Sequence, residues 1–283
     1  MRLLSTRDLA DALGVSESSL KRWVDSGKIS ASRTDGGHRR ILLSEALRFI
    51  RDTRAPIARP ELLDLPEVAL ARASGEDRLA SYLRDGDSMG ARGWLMARYL
   101  EGATIAELAD GPIRDAMAAL GELWHHDDGG VFVEHRGTEV CLQAVAQLRG
   151  MLSTLPVTAP VALGGTPAGD PYLLPTQLAA MVATEAGMRA VNLGADTPVG
   201  AFAHAVVEHQ PKLVWISIST SLAPARARSM SRWLDTLPTT TTIAIGGQQS
   251  RTLSNLPARA VRATSMADLA AAAGAILKRQ RAS

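Results

Sequence analysis

A single cysteine in 283 residues, Cys141, rules out a disulfide framework and fits a reducing compartment. No run of about 18 apolar residues occurs, and the first residues carry no apolar signal core, so the chain is expected to be cytoplasmic with no membrane partner. Aromatic residues make up only 4% of the chain, and no stacking platform is interleaved with basic residues, which argues against RNA as the partner. Neither a nucleophile elbow nor a phosphate-binding glycine loop of recognisable form is present. An excess of one charge is missing too: 31 Lys/Arg face 29 Asp/Glu, net +2. That balance hides an asymmetry. Residues 1–54 hold 11 Lys/Arg against 7 Asp/Glu, net +4, leaving 20 against 22, net −2, for the remainder. Length and a hydrophobic content of 46% are ordinary for a soluble protein of two or three domains.

The basic segment has a readable pattern. Ser5-Thr6-Arg7-Asp8 has the form of a capping box, and Leu9, Ala10, Leu13 and Val15 give the following short helix an apolar face. Gly14 breaks it, Ser16 caps a second helix over Glu17–Asp25, and Leu20, Trp23 and Val24 form its buried stripe. Ser18, Ser19, Lys21 and Arg22 then point outward. Two short helices around a glycine turn are a helix-turn-helix, whose second helix enters the major groove. Asp35-Gly36-Gly37 reads as a hairpin tip, and Arg33, His38, Arg39 and Arg40 around it form a basic wing suited to phosphates. A helix over Ser44–Thr53 closes the module.

In order and spacing these residues resemble the winged helix-turn-helix of the MerR family and its excisionase-like relatives. The resemblance implies duplex DNA as partner, with Ser18, Lys21 and Arg22 on the recognition helix and Arg33, His38, Arg39 and Arg40 on the wing. One such module binds weakly, so a homodimer or homotetramer reading a two-part operator is expected.

Residues 55–75 read as a linker, with three prolines between positions 54 and 66. Four amphipathic segments follow between 76 and 156, carried by Leu79 and Leu83, by Trp94, Leu95 and Leu100, by Ile113, Ala116 and Leu120, and by Val140, Cys141, Ala144 and Leu148. They predict a four-helix bundle. At its centre stands Trp124-His125-His126-Asp127-Asp128-Gly129-Gly130-Val131-Phe132-Val133-Glu134-His135, read as a helix that ends in polar residues, crosses a Gly-Gly turn and resumes at Glu-His. A large indole seeks burial while imidazoles and carboxylates resist it, which reads as a pocket. On the residues alone, a core Trp beside a solvated helix end accounts for the stretch equally well.

Trp124, His125, Glu134 and His135 resemble, in type and spacing, the helical cap of the CarH/LitR-type light-responsive regulators. That resemblance implies an adenosylcobalamin beneath the cap, covered by the Trp and the Glu-His pair, with His125 able to become a metal ligand. His126 lies outside the pattern and reads as a solvated residue.

From Thr158 onward short apolar runs alternate with helical segments: strands at 161–164, 190–193, 213–217, 243–245 and a weak one at 260–263, with helices at about 176–186, 198–209, 224–235, 250–255 and 266–280. The fold class is therefore multidomain: a winged helix-turn-helix (1–54), a four-helix cap (76–156) and a doubly wound, flavodoxin-like parallel α/β domain (157–283). In the last, ligands bind beyond the carboxyl ends of the strands, where Gly164-Gly165-Thr166, Gly194-Ala195-Asp196, the Ser217–Ser221 run and Gly246-Gly247-Gln248 stand.

This layout resembles a cobalamin-binding domain, which implies that Ser217 and Ser221 contact a buried nucleotide tail and that Gly246 and Gly247 line its slot. One departure is plain. Where the family has Asp-x-His-x-x-Gly this chain reads Asp170-Pro171-Tyr172-Leu173-Leu174-Pro175, placing Tyr172 at the position of the lower cobalt ligand. A phenol of ordinary pKa about 10 is a poor neutral donor compared with imidazole. The pocket is thus expected to hold cobalamin in altered ligation, another flat tetrapyrrole, or no ligand at all and serve assembly. A transcriptional regulator is favoured: Tyr172 stands against a corrinoid methyl-transfer component, and adjacent histidines on a helix, which diverge by about 100°, stand against a metal hydrolase. No catalytic residue is expected.

Overall fold

The computed structural model describes residues 2–34, 36–65, 78–123, 128–254 and 256–281. They form two units, Met1–Thr104 with Gly111–Thr154, and Ile105–Asp110 with Leu155–Ser283.

The first unit begins with β1 (Leu3–Ser5), α1 (Thr6–Leu13), α2 (Glu17–Asp25), β2 (Ser32–Arg33), β3 (Arg39–Leu42) and α3 (Leu43–Thr53). The three strands pair antiparallel in the order β1-β3-β2. The capping box is complete: Asp8 N donates to Ser5 Oγ at 3.1 Å and Ser5 N to Asp8 Oδ2 at 2.9 Å. These bonds hold the Asp8 carboxyl below its ordinary range. Gly14 ends α1 in the left-handed region at φ 67°, which a residue with a β-carbon rarely adopts. Leu9, Leu13 and Leu20 of the helices and Ile41 of β3 are buried, while Trp23 is half-buried and tilts onto Phe49 with ring centroids 5.2 Å apart.

The proline-rich stretch is folded as far as residue 65. Ala58 N and Arg59 N both donate to Ala12 O, at 2.8 and 3.1 Å, a single 3-10 turn spans Pro60–Leu63, and Leu63 and Leu65 are buried. Arg2 ties it down from the other side, donating to Leu62 O at 3.0 Å and pairing with Asp64. The remainder of the expected linker, from residue 66, lies outside the described residues.

Next come α4 (Arg78–Asp85), α5 (Ser88–Leu100), α6 (Ile105–Leu108), α7 (Arg114–Leu123) and α8 (Asp128–Arg149), of which α4, α5, α7 and α8 make the bundle of the first unit. Its core is the predicted one, with Leu79, Leu83, Leu95 and Leu148 fully buried, each contributing about 1.5–3 kcal/mol. Cys141 is buried among them, and burial pushes its thiol up to about 12. The expected Gly-Gly turn is corrected: Gly129 and Gly130 lie inside the first turn of α8, which starts at Asp128. First-turn N–H groups lack helical partners in any case, so glycine is tolerated there.

The second unit is a five-stranded sheet, β4 (Val161–Gly165), β5 (Arg189–Asn192), β6 (Leu213–Ser217), β7 (Thr242–Gly246) and β8 (Ala260–Arg262), parallel throughout in the order β5-β4-β6-β7-β8. That order is the doubly wound, flavodoxin-like one. The helices are α9 (Leu174–Ala186), α10 (Val199–His209), α11 (Pro224–Thr236) and α12 (Met266–Arg281). The helix expected at 250–255 is corrected to one 3-10 turn, Ser250–Thr252; Leu253 turns into the core, and the Arg262 guanidinium caps the carbonyls of Ser250 and Leu253. On one face of the sheet Val214, Ile216 and Ile218 pack with Phe202, Met230 and Trp233 of α10 and α11. Side chains alternate along a strand, so Leu213, Trp215 and Ser217 face the opposite layer, where α9 packs with α12. Asp110 fastens that layer by accepting from Met266 N and Ala267 N at 2.8 and 2.9 Å, at the start of α12.

Candidate DNA interface and ligand region

The basic groups of the first unit converge on one groove. Arg7 from α1, Lys21 from α2, and His38, Arg39 and Arg40 from the wing line it together with Glu17. Ser18, Lys21 and Arg22 are exposed on α2, and Arg33 is exposed on β2. The wing is clasped to the end of the recognition helix: Arg39 Nη2 and Nε donate to Asp25 Oδ1 at 2.6 and 3.2 Å. Lys21 Nζ lies 2.9 Å from Glu17 Oε1, which also accepts from Thr6 Oγ1 at 3.0 Å. Lys21 and Thr6 hold the Glu17 carboxyl below its ordinary range. Arg7 was missed in the sequence. Its signal is a cation in the first turn of a helix, where the macrodipole disfavours one unless an anion is to be met there.

Of the upper-face residues, Trp124 and His125 lie outside the described residues, as do His126 and Asp127. Glu134 and His135 sit on α8. The Glu134 carboxylate accepts from Thr138 Oγ1 at 2.8 Å and stands 3.5 Å from His135 Nε2; it is 21% exposed, whereas the His135 side chain is 72% exposed. Two residues before Glu134, Phe132 is 60% exposed, with the Arg136 guanidinium 4.9 Å from its ring centroid. Apart from Tyr172, also exposed at 55%, it is the exposed aromatic among the described residues. An apolar ring inside a polar helical stretch was its signal.

In the second unit the loops beyond the strands are knitted to one another. Asp170 is fully buried; its Oδ1 accepts from Tyr172 N at 3.1 Å and its Oδ2 from Ser219 N at 2.6 Å and Thr220 N at 3.4 Å. Thr166 Oγ1 donates to Asp170 O at 2.8 Å and accepts from Asp196 N at 3.1 Å. Gly169 N donates to Asp196 Oδ1 at 2.6 Å. Ser217 is buried at 5% exposure, while Ser221 is exposed, with its Oγ 3.4 Å from Gln249 Oε1. Gly246 O accepts from Ile218 N at 2.9 Å, and a β-carbon on Gly247 would overlap the Ile218 backbone. The two loops touch backbone to backbone at this point, which requires glycine.

The Asp170 carboxylate is therefore committed to three backbone donors and does not orient a side chain at position 172. With Tyr172 directed to solvent, this half of the region does not fit a cobalt ion ligated from below in the family manner.

Residues 3–54 match the family model of a helix-turn-helix domain, and residues 76–149 match that of a B12 binding domain. The chain is 25% identical over 241 residues to the HTH-type transcriptional repressor CarA of Myxococcus xanthus, covering 80% of each chain. Among solved structures it is similar to the monomethylamine corrinoid protein of Methanosarcina barkeri, with a TM-score of 0.53 and 15% identity over 71% of this chain and 97% of that one, a likeness of fold. The chain thus combines a region similar to helix-turn-helix domains, a region similar to B12 binding domains and a parallel five-stranded sheet.

Proposed function

We propose that the chain is a DNA-binding transcriptional regulator acting in the cytoplasm, whose cap and α/β domain respond to a flat tetrapyrrole of the corrinoid class and control its assembly on the operator. The observation that carries this reading is the convergence of Arg7, Lys21, His38, Arg39 and Arg40 on the groove between the recognition helix and the wing. Ser18, Arg22 and Arg33 extend the same surface. Groups so placed serve phosphate positioning, with base contacts left to the exposed face of α2. A homodimer or homotetramer supplies the second module that a two-part operator needs. Among the described residues no helix is long and apolar enough to cross a membrane.

Fluorescence anisotropy of the full chain on a short labelled duplex tests the first half. Binding that weakens with log salt at a slope of about −0.9 for each phosphate neutralised is expected; no binding at about 50 mM salt would overturn it. Glu17 is the carboxylate in the groove and holds Lys21 away from phosphate. Glu17→Gln is expected to tighten DNA binding roughly three- to fivefold at low salt, an effect that fades as ionic strength rises.

For the second half, Trp124, His125, Glu134 and His135 are assigned to the ligand's upper side, with His125 as the candidate metal ligand, and Asp170, Tyr172, Ser217, Ser221, Gly246 and Gly247 to the rim below. Absorbance of the protein after incubation with cobalamins, cobinamide, haem or biliverdin and desalting tests it, retained visible bands being the expected result. The knitted loops around Asp170 favour one other reading, a region that only assembles; colourless protein after every incubation would select it.

A further inference from the structure

The layer between the sheet and α9 is floored by small residues. Ala162 and Gly164 of β4 and Ala244 and Gly246 of β7 occupy positions facing it, and Thr176, Ala180 and Ala183 succeed one another along α9 opposite. Beside Leu213 on β6, one aromatic side chain stands among them. Trp215, in register between Gly164 and Ala244, is 2% exposed and two residues before Ser217 on the same face of β6. Its indole lies so closely over Gly164 that a β-carbon there would overlap it. Trp215 Nε1 donates to Thr176 Oγ1 at 3.0 Å, Thr176 Oγ1 donates to Asn192 Oδ1 at 2.9 Å, and Asn192 Oδ1 also accepts from Gly194 N at 3.1 Å. Three strands and a helix thus contribute to one anchored ring.

We infer that Trp215 is a built-in plug: its indole fills the slot that a corrinoid's nucleotide tail would enter past Ser217, so the α/β domain carries its own bicyclic aromatic in place of the tail's benzimidazole. Indole and benzimidazole share size, flatness and a fused five- and six-membered ring system. A small-residue floor is otherwise an uneconomical core, because it leaves room that only a large flat group fills. The plug removes the tail as a source of affinity, so a ligand of the proposed class binds without burying its tail in the α/β domain. The inference rests on the proposed function only for the identity of the missing tail; the anchored ring stands on its contacts.

The test is chemical rescue. Trp215→Gly leaves a cavity lined by apolar atoms with the Thr176 hydroxyl as one acceptor, and cavities of this kind bind small aromatic molecules. Adding indole or 5,6-dimethylbenzimidazole at tenfold over its dissociation constant is expected to raise the melting temperature of Trp215→Gly by about 3–5 °C. Wild type is expected to show no shift. 1-Methylindole, which lacks the ring N–H, is expected to rescue less; equal rescue would overturn the Thr176 anchor. Should Trp215→Gly not fold alone, its refolding yield with and without indole gives the same decision, and Trp215→Val supplies a second variant with a smaller cavity. No rescue of either variant, or a shift of wild type equal to theirs, overturns the plug. Failure of every corrinoid to be retained overturns the ligand reading and leaves the rescue result untouched, so the two are distinguishable.

Discussion

Asp170→Ala lowers the melting temperature of the chain by roughly 10–15 °C, corresponding to about 3–4 kcal/mol. The carboxylate is fully buried and accepts from the backbone N–H groups of Tyr172, Ser219 and Thr220. Removing it strands three part-buried backbone donors, at about 1–3 kcal/mol each before water and relaxation recover some of the loss. Asp170→Asn keeps one acceptor oxygen and is expected to lose about half as much. A thermal melt decides between two roles for this residue. Had Asp170 served only to orient a ligand at position 172, the variant would melt with wild type and differ in ligand retention alone.

The wing supplies the second large effect, and its two neighbouring arginines are expected to behave differently. Arg40→Ala is expected to weaken binding on every DNA sequence and reduce the magnitude of the salt slope by about 0.9, the signature of one lost phosphate contact. Arg39 is held by Asp25 at 2.6 Å and positions the wing against the recognition helix. Arg39→Ala is therefore expected to cost affinity with a smaller change of slope, and Asp25→Ala, which frees Arg39 for phosphate, to steepen the slope. Anisotropy titrations at four or more salt concentrations separate these outcomes. Identical slopes for wild type and Arg40→Ala would remove Arg40 from the interface.

Much of the fold was legible because its signals are local. Ser16 and the apolar spacing of Leu20 bounded α2, and short apolar runs bounded the parallel strands to within two residues. What was not legible depends on contacts between distant segments. The prolines between 54 and 66 remove donors and so read as a joint, yet Pro60 begins a turn whose Leu63 is buried along with Leu65. Nothing local shows that Ala12 O stands ready for Ala58 and Arg59. Gly129 and Gly130 read as a turn because glycine weakens helices, but they fall in the first turn of a 22-residue helix, where the cost is small beside the packing of the rest.

The site divides in the same way. Arg33, His38, Arg39 and Arg40 were visible as a basic hairpin, since charge and turn chemistry sit together in sequence. The clasp of Arg39 on Asp25 was not, because the two are 14 residues apart. Trp215 was hidden more thoroughly. In a strand buried on both faces the apolar residues run without alternation, and Leu213–Ile216 gives no sign of which face holds the space. Only Gly164 on the adjacent strand, with Thr176 on α9 and Asn192 on β5, identifies the slot that the indole fills.

The most direct test of a regulator that reads an operator as an assembly is selection by the purified full chain from a random-sequence duplex pool at about 150 mM salt, followed by sequencing. The expected result is one enriched two-part site whose half-sites are separated by about 10 base pairs or a multiple of it, the spacing that two symmetry-related modules impose. DNA that is retained with no sequence enriched would contradict the account, leaving a chain that binds phosphate without reading an operator.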